Sequence, residues 1–306
     1  MQNSYNILSY SFKTWYCNCC LLLLHKSGKV YITYCMLCLG ECVNDAILFN
    51  NCITLIDLKQ PNFTMLQDGK INEILMSKTF AEKVIDFNRN LHYSDKLPEG
   101  FQVMNPYLNN SETMEIMQQF YHKYYNDLKQ RRFIIGINPS RHGAGVTGVP
   151  FTDTKRLESV CSIKMQSAHT HEISSVFMYD LIAEYGGAKD FYKHFYINSP
   201  FPLAITRQTK DGKWVNANYY DDPILFEMVK DFMIMSLKKH ISLGLDTSEV
   251  FVLGKKNANF IQKLNKEVKL FDSLKTFEHP RYIQQYKFKE KKQYIDKYIL
   301  ALNNSK

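Results

Sequence analysis

The chain has 306 residues, of which 45% are apolar and 22% are charged, and its formal net charge is +8. This composition is typical of a globular protein with a full core and excludes an intrinsically disordered chain, which has lower hydrophobicity. The positive charge favours a polyanionic partner such as nucleic acid, since clustered Lys and Arg bind phosphates by releasing counterions.

The first 75 residues differ from the rest in their cysteine content. A metal site, a disulfide framework, and a segment outside the native fold are all compatible with this composition. We favour the third, because neither helical nor alternating periodicity is visible, and the cysteine spacing fits no standard zinc finger. We therefore predict an N-terminal extension over 1–75, a folded domain over 76–306, and no metal or cofactor. Seven of the eight cysteines precede residue 53, namely Cys17, Cys19, Cys20, Cys35, Cys38, Cys42 and Cys52.

The apolar run CCLLLL at 19–24 is too short to cross a membrane, which takes about 20 apolar residues. It also lacks the order of regions found in a signal peptide, so we expect a cytoplasmic protein. Residues 1–75 contain five Lys and five acidic residues. The whole positive charge therefore belongs to 76–306.

In that domain, apolar patterns predict strands that alternate with helices. The helices are expected from Ser111, after Asp153, from Ser175, from Pro223, after Gly254 and from Glu290, and Asp211-Gly212 predicts a hairpin turn. The strands are expected at 133–137, 195–197, 250–253 and 274–278.

The helix from Pro223 shows the helical period most clearly. Its predicted inward residues are Leu225, Met228, Phe232 and Met235. Lys238, Lys239 and His240 are expected to complement the helix dipole at its end.

Alternating strands and helices predict an α/β fold with a mainly parallel four-stranded central sheet. Asn138, Asn198 and His279 each follow or end a predicted strand. Ligands bind beyond the carboxyl ends of parallel strands, so we expect these three side chains to meet in one crevice.

The loop at 136–157 is rich in glycine, with Gly136, Gly143, Gly145 and Gly148. Glycine permits positive φ and leaves room where a Cβ would collide, so this loop is predicted to approach a ligand closely.

Four short runs together resemble one family. They are GINP at 136–139, TGVPF at 147–151, Asn198 before a Pro-Leu pair, and His279-Pro280. Their order and spacing resemble the SMUG-type uracil-DNA glycosylases over about 128–302, and EISS at 172–175 is similar to a further element of that family.

Two departures from the family pattern indicate a second, bacterial branch. Ser140, Arg141 and His142 replace the Gly that usually follows Asn-Pro, and Arg281 replaces the Ser after His-Pro. These changes leave the preferred base open among uracil, hydroxymethyluracil, xanthine and hypoxanthine.

The resemblance implies a three-layer α/β/α fold and a monofunctional glycosylase that flips a base out of DNA and hydrolyses its N-glycosidic bond. Such an enzyme initiates base excision repair and needs no cofactor. It implies a monomer that acts on DNA in a bacterial cytoplasm, near the nucleoid, without contact with a membrane. A non-catalytic protein that binds nucleic acid or a nucleobase with the same fold is the alternative.

The resemblance also implies roles for individual residues. Asn138 would position the attacking water, His279 would bind uracil O2, Phe151 would stack on the base, and Asn198 would read its polar edge. No Lys lies in these motifs to form a Schiff base, which favours simple hydrolysis. The further substrate-binding residues are Gly136, Ile137, Pro139 and Ser140, and the DNA-binding residues are Arg141, His142, Thr147, Arg281, Tyr282 and Lys287.

Overall fold

The computed structural model describes 14–17, 20–24, 30–34 and 78–304. The chain divides into two compact units, Met1–Ser77 and Lys78–Lys306. In the first unit, strands β1 (Thr14–Cys17), β2 (Cys20–Leu24) and β3 (Val30–Tyr34) pair antiparallel in that order. The hypotheses on the N-terminal cysteine side chains lie outside the described residues, and the assignment of 1–75 to a non-native extension stays a prediction.

The second unit begins with two elements that the sequence patterns did not indicate. Helix α1 (Phe80–Arg89) starts with a capping box, in which the Thr79 side chain accepts from the Glu82 N–H and the Glu82 side chain accepts from the Thr79 N–H. Strand β4 (Phe101–Met104) follows.

Helix α2 (Ser111–Tyr125) and strand β5 (Arg131–Ile135) come next. Helix α2 begins at Ser111 as predicted, and its N-cap is Asn110 rather than Ser111, since the Asn110 side chain accepts from the Thr113 N–H at 3.0 Å. Leu128 lies beyond the helix and is 60% exposed. The helical spacing of Met114, Met117, Tyr121, Tyr124 and Leu128 predicts that Leu128 belongs to this helix, and that prediction is wrong.

After β5, the glycine-rich loop contains the short helix α3 (Ala144–Thr147), and helix α4 (Thr154–Ser159) follows it. Asp153 caps α4 as predicted, because its side chain accepts from the Arg156 N–H at 2.9 Å. Helices α5 (Ile173–Glu184) and α6 (Ala188–His194) then lead into strand β6 (Phe195–Asn198).

Strands β7 (Ala204–Gln208) and β8 (Trp214–Ala217) form the predicted hairpin, with Gly212 at a φ of 79° in the turn. Together with β4 they make an antiparallel sheet in the order β4-β7-β8. The end of β8 brings this small sheet next to the loop after β5, where the Asn138 side chain bonds the Ala217 carbonyl.

Helix α7 (Pro223–Ser242) starts at its Asp222 cap as predicted, but its buried face differs from the predicted stripe. Met228 and Met235 are 40% and 41% exposed, whereas Val229 and Leu237 are fully buried. His240 is also fully buried, and burial lowers its pKa to about 3, so it carries no charge for the helix dipole.

The chain ends with a strand–helix–strand unit, two helices and a short 3₁₀ turn between them. Their order is β9 (Leu245–Leu253), α8 (Lys255–Val268), β10 (Ser273–Phe277), α9 (Pro280–Tyr286), a 3₁₀ turn (Phe288–Glu290) and α10 (Lys291–Asn304).

The central sheet has the order β10-β9-β5-β6, all its neighbouring strands are parallel, and helices flank it. The predicted α/β fold with a four-stranded parallel sheet is confirmed. Its strands are nearly continuous apolar runs, as in Phe133, Ile134 and Ile135, which are at most 2% exposed. In the described part of the chain, no helix has the length and apolarity that a membrane span needs.

Candidate active site

A cavity of about 270 Å³ opens at the carboxyl ends of the central strands. Asn138 lies just after β5, Asn198 ends β6, and His279 lies just after β10. These three side chains and Phe151 all line the cavity. Asn138, Asn198 and His279 therefore meet in one crevice, as expected for residues at the ends of parallel strands, and Phe151 lies with them.

Phe151 reaches the cavity because the backbone is adapted on both sides of it. Its own φ is 52°, a left-handed conformation that a bulky residue adopts only when its surroundings hold it there. A Cβ on Gly136 would lie 2.9 Å from Phe151 Cε2, so glycine leaves room for the ring. Gly136 also donates its N–H to the Asn198 carbonyl at 2.7 Å, which joins the ends of β5 and β6.

The Asn138 amide is held at both ends by backbone groups. Nδ2 donates to the Ala217 carbonyl at 3.0 Å, and Oδ1 accepts from the Tyr219 N–H at 3.2 Å. Because an amide oxygen has two lone pairs, Oδ1 keeps one that can accept from a water in the cavity.

The Asn198 amide has a defined orientation. Its Oδ1 accepts from the Ser199 N–H at 2.9 Å, and its Nδ2 donates to the Tyr196 hydroxyl oxygen at 2.7 Å. The Tyr196 hydroxyl lies 3.3 Å from His240 Nδ1, to which it can donate its own proton. One Nδ2 proton and one Oδ1 lone pair of Asn198 remain for a ligand.

The His279 imidazole is fixed in one tautomer by its backbone neighbour. His279 is the N-cap of α9, and its Nδ1 accepts from the Arg281 N–H at 3.1 Å. Burial, with the positive charge of Arg281, lowers the pKa of His279 to about 4. At neutral pH the ring is therefore uncharged and carries its proton on Nε2, where it can donate to a ligand.

A carboxyl group also lies in the cavity wall. Glu172 precedes α5, and its Oε1 accepts from the Ser140 hydroxyl at 2.5 Å. Burial raises the pKa of Glu172 to about 7, against the lowering effect of the Ser140 hydrogen bond. No sequence motif assigns a role to Glu172, although EISS at 172–175 is similar to an element of the family.

The described residues contain no cluster of three or more His, Cys, Asp or Glu side chains that could hold a metal ion.

Residues 122–303 match the sequence profile of the uracil DNA glycosylase superfamily. The chain belongs to the uracil DNA glycosylase superfamily. Among solved structures, it is similar to the crystal structure of wild-type SMUG2 from Pedobacter heparinus, with 48% sequence identity and a TM-score of 0.72. That match covers 74% of this chain and 98% of the other. No curated protein matches the chain.

Other predicted substrate-binding residues of this uracil DNA glycosylase superfamily member line the same cavity. Gly136, Ile137, Pro139 and Ser140 follow one another around Asn138. The loop after β5 therefore supplies a continuous wall of the site.

Most of the predicted DNA-binding residues lie at or near the surface, whereas Arg141 bonds a neighbouring strand. His142 and Arg281 line the cavity and are exposed, and Tyr282 is 44% exposed on α9. Lys287 pairs with Glu290 at 3.0 Å. The Arg141 guanidinium instead donates to the Trp214 carbonyl at 2.5 Å, which ties the loop to the β7–β8 hairpin.

Thr147 lies elsewhere in the loop. It is fully buried, and its hydroxyl donates to the Thr152 carbonyl at 2.7 Å. The predicted DNA contact of Thr147 is wrong, because a side chain without solvent access cannot meet a phosphate.

The cavity of this glycosylase superfamily member also has a wall that no sequence motif indicated. Asn216, Ala217 and Asn218 come from the end of β8, and His171 comes from the segment before Glu172. Turn residues predicted the hairpin itself, but only the packing of β8 against the loop after β5 reveals that it completes the site.

Proposed function

We propose that this chain is a monofunctional uracil-DNA glycosylase that flips uracil, or a related damaged base, out of DNA and hydrolyses its N-glycosidic bond. One observation carries the proposal: two amides, a phenyl ring and a neutral imidazole line one cavity of about 270 Å³. Base flipping costs a few kcal/mol, and a closed pocket with a complementary wall offsets that cost.

His279 is proposed to stabilise the departing base. Bond cleavage leaves negative charge on uracil, part of it on O2. The Nε2 proton of a neutral imidazole can donate to that oxygen, and the Arg281 N–H at 3.1 Å from Nδ1 keeps the proton on Nε2. In a site that excludes water, such a donor contributes several kcal/mol to transition-state binding.

Asn198 is proposed to read the base. Its remaining Nδ2 proton and Oδ1 lone pair match a carbonyl beside an N–H, which is the O4 and N3 edge of uracil. Cytosine has an amino group and an unprotonated nitrogen there, so it would leave both groups of Asn198 unpaired. The hydrogen bonds to Ser199 and Tyr196 support this role because they prevent the amide from turning over.

Phe151 and Asn138 are proposed to hold the base and the water. The Phe151 ring, with its centroid 6.1 Å from that of His279, would stack on the pyrimidine. Asn138 would orient the attacking water through its free Oδ1 lone pair. An amide is a poor base, but positioning is sufficient when the leaving step is largely dissociative.

Hydrolysis without strand cleavage follows from the residues that line the cavity. No lysine is among those that the structure describes there, so a Schiff base with the sugar has no amine in reach. The abasic site would remain intact in the DNA.

DNA is the proposed partner, and Arg281, His142, Tyr282 and Lys287 are its proposed contacts near the cavity. Arg141 is proposed to act mainly by holding the hairpin. We expect a monomer, since one chain supplies every proposed contact, and we expect the enzyme at the bacterial nucleoid, where its substrate lies.

The test uses the full-length protein and oligonucleotides that contain one deoxyuridine, either single-stranded or opposite guanine. We expect release of free uracil and an abasic site that breaks only after alkali. His279→Ala should lower the rate by about 10²–10³-fold, as measured for the loss of one such donor elsewhere.

The matched control is His122→Ala, because His122 is exposed on α2 and does not line the cavity. It should leave the rate unchanged. The proposal fails if the wild-type protein releases no base from any deoxyuridine substrate, or if the His279 and His122 variants behave alike.

A further inference from the structure

Glu172 is a buried acid in the cavity wall to which none of the roles above is assigned. Its Oε1 accepts from the Ser140 hydroxyl at 2.5 Å, and its Oε2 has no solvent access and no partner among the described residues. A Cβ on Gly143 would overlap Oε2, so the carboxyl group packs directly on the glycine backbone. Ser140 and Glu172 both line the cavity.

The surroundings of Glu172 permit both protonation states. Its backbone N–H donates to Asp153 Oδ2 at 2.7 Å, which places a second carboxylate beside it. Burial is the main cause that raises the pKa of Glu172 to about 7, and the negative charge of Asp153 raises it further. The Ser140 hydrogen bond and the positive charge of Arg281 lower this pKa.

The remaining titratable groups near this wall make other contacts. Arg156 and His171 face Asp153 at 3.2 and 3.6 Å. His142 lies against Arg141 at 3.2 Å, and burial together with that cation lowers the pKa of His142.

The state of Glu172 sets the direction of the hydrogen bond to Ser140. A carboxylate only accepts, so the Ser140 hydroxyl must donate to it and can present only lone pairs to the cavity. A carboxylic acid can carry its proton on Oε1, where Ser140 Oγ lies within hydrogen-bond distance and can accept from it. Ser140 Oγ then accepts the hydrogen bond from the carboxylic acid, and its own O–H is free to donate into the cavity.

We propose that Ser140 and Glu172 form a donor pair for the departing base, in which the protonated carboxyl group turns the Ser140 hydroxyl towards the cavity. This inference rests on the proposed glycosylase function. A base that leaves with negative charge is stabilised by a donor and destabilised by a nearby carboxylate, so the acid form of Glu172 is the active one.

The experiment measures kcat/KM for uracil release from single-stranded DNA between pH 5.5 and 9. In the wild-type protein, kcat/KM should fall about tenfold from pH 7 to pH 8.5, as expected for loss of one proton from an active form. Ser140→Ala should lower kcat/KM at pH 6 and remove most of this fall, because the donor is then absent.

Glu172→Gln gives the decisive result. The introduced NH₂ group can donate to Ser140 Oγ, and in this arrangement Ser140 remains a donor to the cavity at every pH. We expect the kcat/KM of this variant to show no fall between pH 6 and pH 8.5, in contrast to the wild type. Glu267→Gln is the matched control, since Glu267 is exposed on α8 and pairs with Lys230 at 3.0 Å. It should keep the wild-type profile.

A folded Glu172→Gln variant that shows the same fall as the wild type would overturn the inference. So would one that is inactive at all pH values. A second measurement separates this failure from failure of the proposed function: a ¹³C NMR titration of the glutamate carboxyl groups, which needs no activity. In the wild type, one carboxyl resonance should titrate near pH 7, and this resonance should be missing in Glu172→Gln. If no carboxyl resonance of the wild type titrates near pH 7, the inference is also overturned.

Discussion

At the scale of single residues, a proposed catalytic role and a structural role coincide in Asn138. The amide proposed to hold the attacking water also bonds the Ala217 carbonyl and the Tyr219 N–H, at 3.0 and 3.2 Å. These bonds fasten the end of β8 and the following turn to the loop after β5. We therefore expect the shape of the cavity to depend on Asn138, in addition to the proposed binding of the water.

We expect Asn138→Ala to lower the free energy of unfolding by about 1–3 kcal/mol, because it leaves a buried carbonyl and N–H without partners. Urea unfolding followed by circular dichroism measures this change. Asn218→Ala is the control, since the Asn218 side chain bonds only the Asp221 carboxylate in the described structure, and that contact is exposed. Equal stability of the Asn138 variant and the wild type would contradict this structural role of Asn138.

Gly136 is a second position where one atom decides the geometry of the site. In Gly136→Ala the new Cβ would lie 2.9 Å from Phe151 Cε2 and 3.6 Å from the Asn198 carbonyl oxygen. The phenyl ring must move away, so we expect kcat/KM for uracil to fall at least about tenfold, the cost of about 1.4 kcal/mol of lost transition-state binding.

The measurement for Gly136→Ala is single-turnover uracil release, together with the melting temperature as a check of folding. Leu128→Ala serves as the control, because the Leu128 side chain is 60% exposed and lies outside the cavity lining. Unchanged turnover in Gly136→Ala would show that the ring position does not matter.

At the scale of elements, α9 joins the active site to an exposed aromatic surface. His279 and Arg281 at its start line the cavity, while Tyr286 near its end is 73% exposed. An exposed aromatic ring next to a site for a flipped base is suited to filling the space that the base leaves in the duplex.

We expect Tyr286→Ala to lower kcat/KM on a G·U duplex about tenfold and to change the rate on single strands by less than about threefold. The reason is that only a duplex leaves a stacked gap to fill, and one base–aromatic stack is worth about 1–3 kcal/mol. Leu300→Ala, which removes a 63% exposed side chain from α10, is the control. Equal losses on both substrates would assign Tyr286 to general DNA binding instead.

Most of the central sheet could be predicted from the sequence, because its strands are apolar runs and the residues at their ends are distinctive. The antiparallel strand β4 and helix α1 were missed, since their short apolar patterns are ambiguous. On α7 the period was right but the face was wrong: Met228 and Met235 are exposed and Val229 is buried. A helix with apolar residues on several faces does not reveal which of them meets the sheet.

The same limit applies to the site. Position in the fold and the order of the motifs predict that the site contains Asn138, Phe151, Asn198 and His279. Glu172 does not, because its importance lies in the burial of a carboxyl group against Gly143, which only tertiary packing creates. Thr147 shows the opposite error, in which membership of a motif suggested a contact but the side chain supports the loop internally.

At the scale of the whole molecule, pH acts on stability through buried histidine. His240 is fully buried on α7, and burial lowers its pKa to about 3, well below the value of about 6.5 for a histidine in water. Between these values the unfolded chain binds a proton that the folded chain does not. Stability therefore rises with pH across this window, and the contribution of His240 is lost as the pH falls.

We expect His240→Asn to reduce the pH dependence of the free energy of unfolding by about 1.4 kcal/mol per pH unit between about pH 6 and 4, the value for one proton. The introduced amide oxygen can still accept from Tyr196, so the hydrogen-bonded chain to Asn198 is preserved.

Urea unfolding at several pH values gives the slope, which is independent of any constant loss of stability. His122→Asn is the control, because exposed His122 should leave the slope unchanged. Equal pH slopes of the free energy of unfolding in the two variants would contradict this prediction. His240 would then bind its proton as readily in the folded protein as in the unfolded chain, and its neutral contact with Tyr196 would be lost.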